Sequence, residues 1–577
     1  MHSLVCQLQS LFKAAIKEAF PTLPDVTASI TRSKPEFGDF QCNNAMGLFK
    51  KHRKDLPDCN SPKMVGDKIA AAVDTSAFKE VSVAPQGFIT VRLGEEWVSR
   101  ALRPCVQSDF EYKFGEGRVL VDFSSPNIAK EMHVGHLRST ILGEAISKCL
   151  EFGGYTVLRR NHLGDWGTQF GMLIEYMRES HPDFLTCPPE LTQLCGFYKQ
   201  SKIRFDEDPE FKRRAQQQVV SLQSGDAFAT EAWKLFCKVS EADFQQIYDR
   251  LQVQELVPRG ESFYNEMIPG IVKELETFIT VSDGAKCFFV DNYPQKKKGE
   301  VPLMVVKSDG GYGYDSTDLA AVHYRLDKNG EDCQWVVYVT DMGQESHFKK
   351  IFKAAEIVGW SEPTTRLDHV GFGLVQGDQG KKFKTRSGDV VKLTTLLDEA
   401  RDRALAEIQR RQEDTDETAD CEAARKIGFS AVKYFDLKQN RTTNYRFSFD
   451  AMLDPKGNTA VYLLYAYARI CSIFRKAEVE ASSLDASNLQ VAHPKERELA
   501  VLLLTFPELM DAFHRDLAVH RLCEYCYDLS TTFSDFYREC RVVGSDEQES
   551  RLILCELTRK MLATVFNLVG IQALERI

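Results

Sequence analysis

Apolar residues recur at helical spacing through the first twenty residues of the chain. Leu4, Leu8, Phe12 and Ile16 fall on one side of a helix, and Lys13 falls on the other. This spacing predicts an amphipathic helix of a folded domain, because it has neither the continuous apolar core of a secretory leader nor the arginine-rich composition of a transit peptide. Helical patterns and a strand-like run at 87–93 extend to about 112, which predicts a small α+β domain followed by a polar linker.

A strand pattern, a helix pattern and a second strand pattern follow in quick succession. The apolar run 119–123 ends in Ser-Ser-Pro-Asn, as a buried strand does when it leaves a sheet. Helical spacing then runs from about His133 to Gly153, and 155–158 has the pattern of a second strand. This order predicts a βαβ unit, in which the ligand site lies at the carboxyl ends of parallel strands.

The rest of the chain is organised around this unit. Residues from about 185 to 300 are polar and mostly helical in pattern, and they precede strand-like runs at 303–306 and 335–339. They predict an insertion within an α/β domain of 113–400, and the acidic stretch 412–422 is typical of a solvated helix or linker. The predicted fold is therefore a Rossmann-type parallel-sheet domain, with an α+β domain before it (1–112) and an all-α domain after it (401–577).

Composition excludes several classes of protein. The chain has 577 residues, of which 43% are hydrophobic and 27% charged, so it is neither a small stapled scaffold nor a disordered protein. Its net charge of −10 argues against a surface that binds nucleic acid everywhere, although local basic patches stay open. Among the 16 cysteines, Cys523 and Cys526 form a lone C-x-x-C, which predicts no zinc site and free thiols in a reducing compartment. No apolar stretch approaches about 18 residues, so the sequence predicts no membrane span.

The strongest chemical signal is His133-Val134-Gly135-His136 at the start of the first predicted sheet-domain helix. Two histidines three residues apart share a helical face, at the end where free N–H groups attract anions. Gly135 would let a flat base lie against bare backbone. Two surface histidines or an incomplete metal pair are the alternatives, but the strand-to-helix turn favours a nucleotide site. The sequence contains no Walker loop, so an ATP site would be of this other kind.

The run 125–139 around these histidines resembles the "HIGH" signature of class I arginyl-tRNA synthetases, in the eukaryotic cytosolic style. The resemblance continues through 161–169, 312–318, 382–388 and 458–475, and so covers essentially the whole chain. It implies arginine activation with ATP and Mg²⁺ and transfer to the 2′-hydroxyl of the terminal adenosine of tRNA(Arg). It also implies an N-terminal domain that reads the tRNA elbow and a C-terminal domain that binds the anticodon.

A basic segment falls where class I synthetases carry the "KMSKS" loop. Thr385 stands where the second lysine of that motif is expected. The same departure is typical of arginyl enzymes, in which a lysine just ahead of the HIGH residues takes over, here Lys130. The resemblance thus assigns catalytic roles to Lys130, His133, His136, Lys384 and Arg386, and ATP contacts to Lys130, His133, Gly135, His136, Lys382 and Lys384.

Free arginine needs carboxylate partners for its guanidinium and polar partners for its backbone end. Tyr314 and Asp318 are four residues apart and would face the same way on a helix, and Asp122 ends the first strand. In the family, the matching positions bind the guanidinium. Those that match Ser125, Asn127, His136 and Gln344 hold the backbone end of arginine or the nearby adenylate.

Aromatic and guanidinium groups in the last part of the chain are candidates for stacking on unpaired anticodon bases. Tyr462, Tyr465 and Arg469 share one helical face, although aromatic residues at this spacing also occur in cores. The resemblance adds Arg475, Tyr525 and the C-terminal Ile577 as anticodon contacts, and Phe37, Gln41 and Asn43 as contacts to the tRNA elbow.

These observations predict an arginyl-tRNA synthetase whose partners are tRNA(Arg), L-arginine and ATP, with no tightly bound cofactor, DNA or membrane partner. We expect a cytoplasmic monomer and leave membership of a multi-synthetase complex open. Two alternatives remain. A cysteinyl-type class I synthetase shares much of this architecture, but it needs a zinc site. A catalytically silent tRNA-binding relative is opposed by the intact Lys130, His133, His136, Tyr314 and Asp318.

Overall fold

The computed structural model describes residues 3–34, 36–56, 58–294, 299–377, 391–412 and 421–577. The chain divides into two compact units. The terminal unit consists of Met1–Phe114, Pro455–Asn567 and Ala573–Ile577, and the central unit consists of Gly115–Asp454 and Leu568–Gln572.

The first half of the terminal unit is an α+β domain, as the sequence predicts. Its strands form an antiparallel sheet in the order β1-β2-β4-β3: β1 Ile30–Arg32, β2 Phe40–Cys42, β3 Phe78–Val83 and β4 Ile89–Leu93. Its helices are α1 Leu4–Ala19, α2 Asn44–His52, α3 Pro62–Ala72, α4 Glu95–Leu102 and α5 Pro104–Gln107. Helix α1 buries Leu4, Leu8, Phe12 and Ile16, so the predicted amphipathic helix is confirmed.

The central unit contains the predicted parallel sheet, in the order β12-β11-β5-β6-β7. Its strands are β5 Arg118–Asp122, β6 Thr156–Asn161, β7 Val257–Pro258, β11 Trp335–Tyr338 and β12 Arg366–His369. The last residues of β12, β11 and β5 stand in one register row, His369 beside Tyr338 and Tyr338 beside Asp122. The carboxyl ends of these strands therefore form one aligned edge.

The helices of the central unit alternate with these strands along the chain or follow the last of them. They are α6 Val134–Phe152, α7 Thr168–Ser180, α8 Leu191–Glu207, α9 Pro209–Gln223, α10 Ala227–Leu251, α11 Glu261–Asn265, α12 Ile268–Glu274, α13 Tyr314–Leu326, α14 Glu345–Val358, α15 Leu393–Gln412, α16 Cys421–Leu437 and α17 Phe449–Leu453. Helix α6 lies directly against β5, because a Cβ at Gly143 would stand 2.1 Å from Phe123 Cγ. A glycine at this position fixes the depth of the helix that carries the histidine pair.

Two sequence interpretations of the region after 250 differ from the structure. The stretch predicted to be a helical insertion contains α8–α10, but the chain then returns to the parallel sheet at β7. The run 303–306 is strand β10, which belongs to a separate antiparallel sheet and pairs there with the central strand β9 Ala285–Phe288, whose other neighbour is β8 Thr280–Ser282. Strands this short carry too few residues for a period-two pattern to show which sheet they join.

Helices dominate the last part of the chain. They are α18 Ala460–Ala477, α19 Pro494–Leu504, α20 Phe506–Asp516, α21 His520–Glu539 and α22 Gln548–Val569. The all-helical prediction for 401–577 misses one short strand, β14 Tyr445–Arg446, which pairs in parallel with β13 Val375–Gln376. In the described residues, no helix is both long and apolar enough to cross a bilayer.

Candidate active site

A cavity of about 800 Å³ opens at the carboxyl edge of the parallel sheet. Its walls come from the ends of β5 and β11, the start of α6 and the first turns of α11, α13 and α14. The structure brings together eight of the predicted site residues here, and these are Asp122, Ser125, His133, Gly135, His136, Tyr314, Asp318 and Gln344. The cavity is large enough for a small organic ligand together with a nucleotide, and its position is that of ligand sites in parallel α/β sheets.

Hydrogen bonds fix both imidazoles of the histidine pair. His133 Nδ1 accepts a hydrogen bond from Gly135 N–H at 3.0 Å, and His136 Nδ1 accepts one from His133 N–H at 3.0 Å. A neutral ring that accepts at Nδ1 carries its proton on Nε2. Burial, followed by the charges of His133 and Lys130, lowers the pKa of His136 to about 3. His136 is therefore a neutral hydrogen-bond donor at physiological pH.

The two rings are also packed closely, with their centres 4.1 Å apart. Gly135 makes this packing feasible, since a Cβ at that position would stand 2.7 Å from His133 Cε1. Both donors stand at the first turn of α6, where the helix dipole favours anions. The geometry therefore suits contacts to phosphate oxygens.

The loop between β5 and α6 carries backbone strain. Ser124, Ser125 and Ala129 have φ values of 77°, 47° and 59°, in the left-handed region. The N–H of Ser125 donates to Asn161 Oδ1 at 2.9 Å, and the N–H of Ala129 donates to Ser240 Oγ at 3.0 Å. The tertiary structure thus holds this loop in a conformation that its residues rarely adopt alone.

Asp122 has an internal partner in the structure, and its predicted contact to the substrate guanidinium stays a prediction. Its Oδ2 lies 2.5 Å from Arg325 Nη2, and both side chains are buried. Arg325 also lies over the ring of Tyr338, 4.9 Å from its centre. A cation of the protein therefore already offsets the charge of Asp122 at the cavity wall.

Asp318 also lines the cavity, and it is bound to a histidine that the sequence interpretation did not include. His347 Nε2 lies 2.7 Å from Asp318 Oδ2, and His347 Nδ1 lies 3.3 Å from Asp315 Oδ1. Burial opposes the charge on this ring, but the bonds to Asp315 and Asp318 outweigh burial and raise the pKa of His347 to about 9. His347 is thus an imidazolium that bridges two carboxylates.

Glu261 is the second site residue that the sequence interpretation missed. It begins α11 and lines the cavity. Burial, followed by repulsion from Asp165 and Asp318, raises the pKa of Glu261 to about 7. This carboxyl group holds its proton more tightly than a free glutamic acid does, but a neighbouring cation would favour its ionised form. The sequence pattern did not place Glu261 at the sheet edge, because β7, the strand before it, is only two residues long.

Two predicted site residues stand at the edge of this region. Asn127 and Lys130 are exposed on the loop between β5 and α6. Asn127 forms a parallel bridge with Gly164, and Lys130 Nζ lies 5.2 Å from the centre of the Tyr198 ring on α8. Both stay predictions as substrate contacts.

The predicted KMSKS-type residues Lys382, Lys384 and Arg386 lie outside the described residues. The segments on either side of them are described. Phe372 to Val375 line the cavity, and Val134 N–H donates to the carbonyl of Val391 at 3.2 Å. The chain therefore leaves and rejoins the described structure beside the histidine pair.

The predicted anticodon residues differ in exposure. Tyr462 and Tyr465 are half-buried on α18, while Arg469, Arg475 and Ile577 are exposed. Tyr525 is buried, and its hydroxyl donates to the carbonyl of Leu502 at 3.3 Å. The ring of Tyr525 packs within the core of α19–α21, which disfavours its predicted contact to RNA, and that contact stays a prediction. Arg469 lies over the ring of Tyr537, 6.0 Å from its centre, so a cation and an aromatic ring share this surface.

The predicted elbow residues are grouped around β2. Phe37 is 61% exposed, which is unusual for a phenylalanine in a folded domain. Gln41 Nε2 donates to Asn43 Oδ1 at 2.8 Å, and Asn43 Nδ2 donates to Thr31 Oγ1 at 3.0 Å. The two amides thus form one hydrogen-bonded row beside an exposed aromatic ring.

The C-x-x-C cysteines and other residue types that bind metals were candidates for a metal site. Cys523 and Cys526 are both buried in α21. Across the part of the chain that the structure describes, no group of three or more His, Cys, Asp or Glu side chains is arranged to hold a metal ion.

Family models match three parts of the chain. Residues 6–93 match the arginyl tRNA synthetase N terminal domain, 105–449 match the class I (R) tRNA synthetase catalytic domain, and 463–577 match the DALR anticodon binding domain.

Individual proteins match over the full length. An arginine–tRNA ligase of Synechococcus sp. is 45% identical, and the alignment covers 100% of both chains. The cytoplasmic arginine–tRNA ligase of Gallus gallus is 44% identical, over 100% of this chain and 89% of that one. The crystal structure of the Plasmodium falciparum arginyl-tRNA synthetase superposes with a TM-score of 0.88 at 36% identity, over 100% of both chains.

Proposed function

This chain belongs to the class I arginyl-tRNA synthetase family, and from that premise we propose how its pocket attaches arginine to tRNA(Arg). The enzyme is an arginine–tRNA ligase that uses ATP, with Mg²⁺ as part of the substrate complex. One observation carries the site assignment. The imidazole donors of His133 and His136 at the N-terminus of α6 stand in the same cavity as the carboxyl groups of Asp318 and Glu261, so the cavity suits both phosphate and a guanidinium.

In the first step, a carboxylate oxygen of arginine attacks the α-phosphorus of ATP. A bond forms between them, the bond to the bridging oxygen breaks, and pyrophosphate leaves with the electron pair. His133 and His136 donate from Nε2 to phosphate oxygens, and their fixed rings need no reorganisation during the step. We propose that Lys130, Lys384 and Arg386 offset the charge that develops on the pyrophosphate.

In the second step, the 2′-hydroxyl of the terminal adenosine attacks the carbonyl carbon of the adenylate. The hydroxyl oxygen becomes the ester oxygen, the bond between the carbonyl carbon and the phosphate oxygen breaks, AMP leaves with that electron pair, and the hydroxyl proton passes to the departing phosphate or to solvent. The chain needs no covalent nucleophile of its own, because the mixed anhydride is already activated. Catalysis rests on placing the reacting groups in line and on stabilising charge.

The guanidinium is recognised by the acidic wall. This acidic wall consists of Tyr314, Asp318 and Glu261, which all line the cavity, and we assign the guanidinium end of arginine to it. Asp122 is not assigned here because of its pair with Arg325. The backbone end is assigned to Ser125, Asn127, His136 and Gln344.

ATP is assigned to the side of the cavity formed by α6 and Phe372 to Val375. Gly135 presents backbone without a side chain, and Leu374 and Val375 add apolar surface to the same cavity, so this lining suits a flat base. Lys382 belongs to this assignment as a prediction. Phosphates would then extend toward His133 and His136.

The defining test is ATP–pyrophosphate exchange with each amino acid in turn. We expect exchange with arginine and with no other amino acid, and the family resemblance predicts that it requires tRNA(Arg), since Thr385 marks the arginyl type of loop. Exchange driven by cysteine would identify the cysteinyl alternative, and no exchange would identify a silent relative. Robust arginine exchange without tRNA would contradict the tRNA requirement alone.

Binding of the anticodon can be tested with two tyrosines of the terminal unit. Truncating the half-buried Tyr465 to alanine should remove about 1–3 kcal/mol of binding if the ring stacks on a base. We expect a raised KM for tRNA with near-normal constants for arginine and ATP.

Tyr525→Ala is the matched control, because that ring is buried. Emptying a buried aromatic site costs about 3–5 kcal/mol of stability, so this variant should show a lower melting temperature. A Tyr465→Ala protein that is destabilised but has an unchanged tRNA KM would mean that Tyr465 is also a core residue.

Several finer assignments complete the proposal. We propose an enzyme of the eukaryotic cytosolic type that acts in the cytoplasm as a monomer, supported by the chicken relative, although the Synechococcus relative is similarly close. We propose elbow contacts by Phe37, Gln41 and Asn43, supported by the exposed ring and the amide row. The domain limits proposed from the sequence are 1–112, 113–400 and 401–577.

A further inference from the structure

His347 has the geometry of a residue that holds another side chain in place. Its side chain is 17% exposed and bonds to Asp318 on one side and Asp315 on the other. The ring also meets Tyr314 edge-on, with centres 5.1 Å apart, and Phe348 with centres 5.3 Å apart. Contacts on both edges and on neighbouring rings leave the imidazole little freedom to turn.

Asp315 connects this histidine to the antiparallel sheet. Its Oδ2 accepts a hydrogen bond from Met304 N–H in β10 at 2.6 Å, while its Oδ1 faces His347. Asp315 is 7% exposed, whereas Asp318 lines the cavity. A continuous series of contacts therefore runs from the backbone of β10 through Asp315 and His347 to the carboxylate of Asp318 at the pocket surface.

We propose that His347 is a positioning residue for arginine recognition, which holds Asp318 by one carboxylate oxygen so that the other is presented to the substrate guanidinium. The inference rests on the proposed function, because it assumes that Asp318 meets the guanidinium. A carboxylate that is already ordered binds its partner without losing side-chain freedom at that moment. The imidazolium also offsets the charge of Asp315, so that the cluster retains one unpaired negative charge for one guanidinium.

The substitution that tests the proposal is His347→Phe, which keeps a flat ring and removes both donors. We expect the KM for arginine to rise about tenfold, as when one side chain must be ordered on binding, with kcat and the ATP KM within about twofold. His347→Gln can still donate one hydrogen bond to Asp318, so it should recover part of the loss. All assays contain tRNA(Arg), whether or not exchange requires it.

His323→Phe is the matched control for fold. His323 is a histidine on α13 whose ring lies 3.6 Å from Glu274 and packs on Trp360, and it does not line the cavity. Melting temperatures of both phenylalanine variants show how much of any effect is structural. A tenfold rise in the arginine KM of His323→Phe would overturn the proposal, since it would show that loss of any packed histidine has this effect.

The pH profile separates positioning from packing. An imidazolium donates from both nitrogens, whereas a neutral ring donates from one, so the two bonds exist below the pKa of about 9 and one is lost above it. We expect the arginine KM of the wild type to rise between pH 8.5 and 9.5 by more than that of His347→Gln. The α-ammonium group of the substrate arginine also titrates in this range, but it affects both enzymes equally, so its effect cancels in the ratio of their arginine KM values.

Other ionisable groups also lie around the ring of His347. Asp315, Asp318 and Tyr314 face His347 from α13, and Glu345 lies on its own helix. Glu261 on α11 titrates near pH 7, below the range of this comparison. A KM ratio that does not change with pH would overturn the proposal.

Two further outcomes distinguish this inference from the proposed function. If Asp318→Asn loses arginine binding but His347→Phe does not, only the positioning role fails. If neither variant loses it, the guanidinium assignment fails as well. A lower arginine KM in His347→Phe would show that the imidazolium repels the substrate, which also overturns the proposal.

Discussion

Replacing Asp318 by asparagine lowers arginine affinity by at least about a hundredfold and leaves ATP binding almost unchanged. The substitution keeps the size of the side chain and its acceptor for His347, but it removes the negative charge. A buried cation left without its partner costs about 3–5 kcal/mol, and each tenfold loss of affinity corresponds to about 1.4 kcal/mol. Isothermal titration of arginine and of ATP, with tRNA present, measures both constants.

A second aspartate on the same helix provides the control. Asp327 caps the C-terminus of α13 and accepts a hydrogen bond from Asn329 N–H, outside the cavity. Asp327→Asn should bind arginine normally. Equal losses for arginine and ATP in Asp318→Asn would mean that Asp318 supports the fold and is not a substrate contact.

Replacing Arg325 by methionine destabilises the central unit by about 3–5 kcal/mol, since it leaves Asp122 buried without a cation. We expect a clearly lower melting temperature by calorimetry. The double variant Arg325→Met with Asp122→Asn removes both charges and should recover most of the stability, because a neutral pair carries a smaller desolvation cost.

The same double variant decides the role of Asp122. If Asp122 only supports the floor of the pocket, the arginine KM of the double variant stays within a few-fold of normal. If it loses arginine as severely as Asp318→Asn, Asp122 contacts the substrate and the assignment to Arg325 is incomplete. Failure of the double variant to recover stability would show that the pair is not an independent unit.

The sequence by itself determined the parts of this protein that depend on local periodicity and contiguous motifs. The βαβ unit, the helix that begins beside His133 and the shared face of Tyr314 and Asp318 all follow from neighbours in the chain. The structure confirms these elements. Their positions place the histidine pair and the acidic wall at one sheet edge, because the carboxyl ends of parallel strands meet there.

Tertiary structure alone decided which charges meet. Asp122 and Arg325 are 203 residues apart, and no local pattern shows that this carboxylate is already paired. Glu261 and His347 joined the site for the same reason, since their contacts come from folding and not from spacing. Exposure is the third case. Tyr465 and Tyr525 look alike in sequence, but the packing of α19–α21 buries Tyr525 and leaves Tyr465 half-exposed, because the face that a helix buries depends on its neighbours.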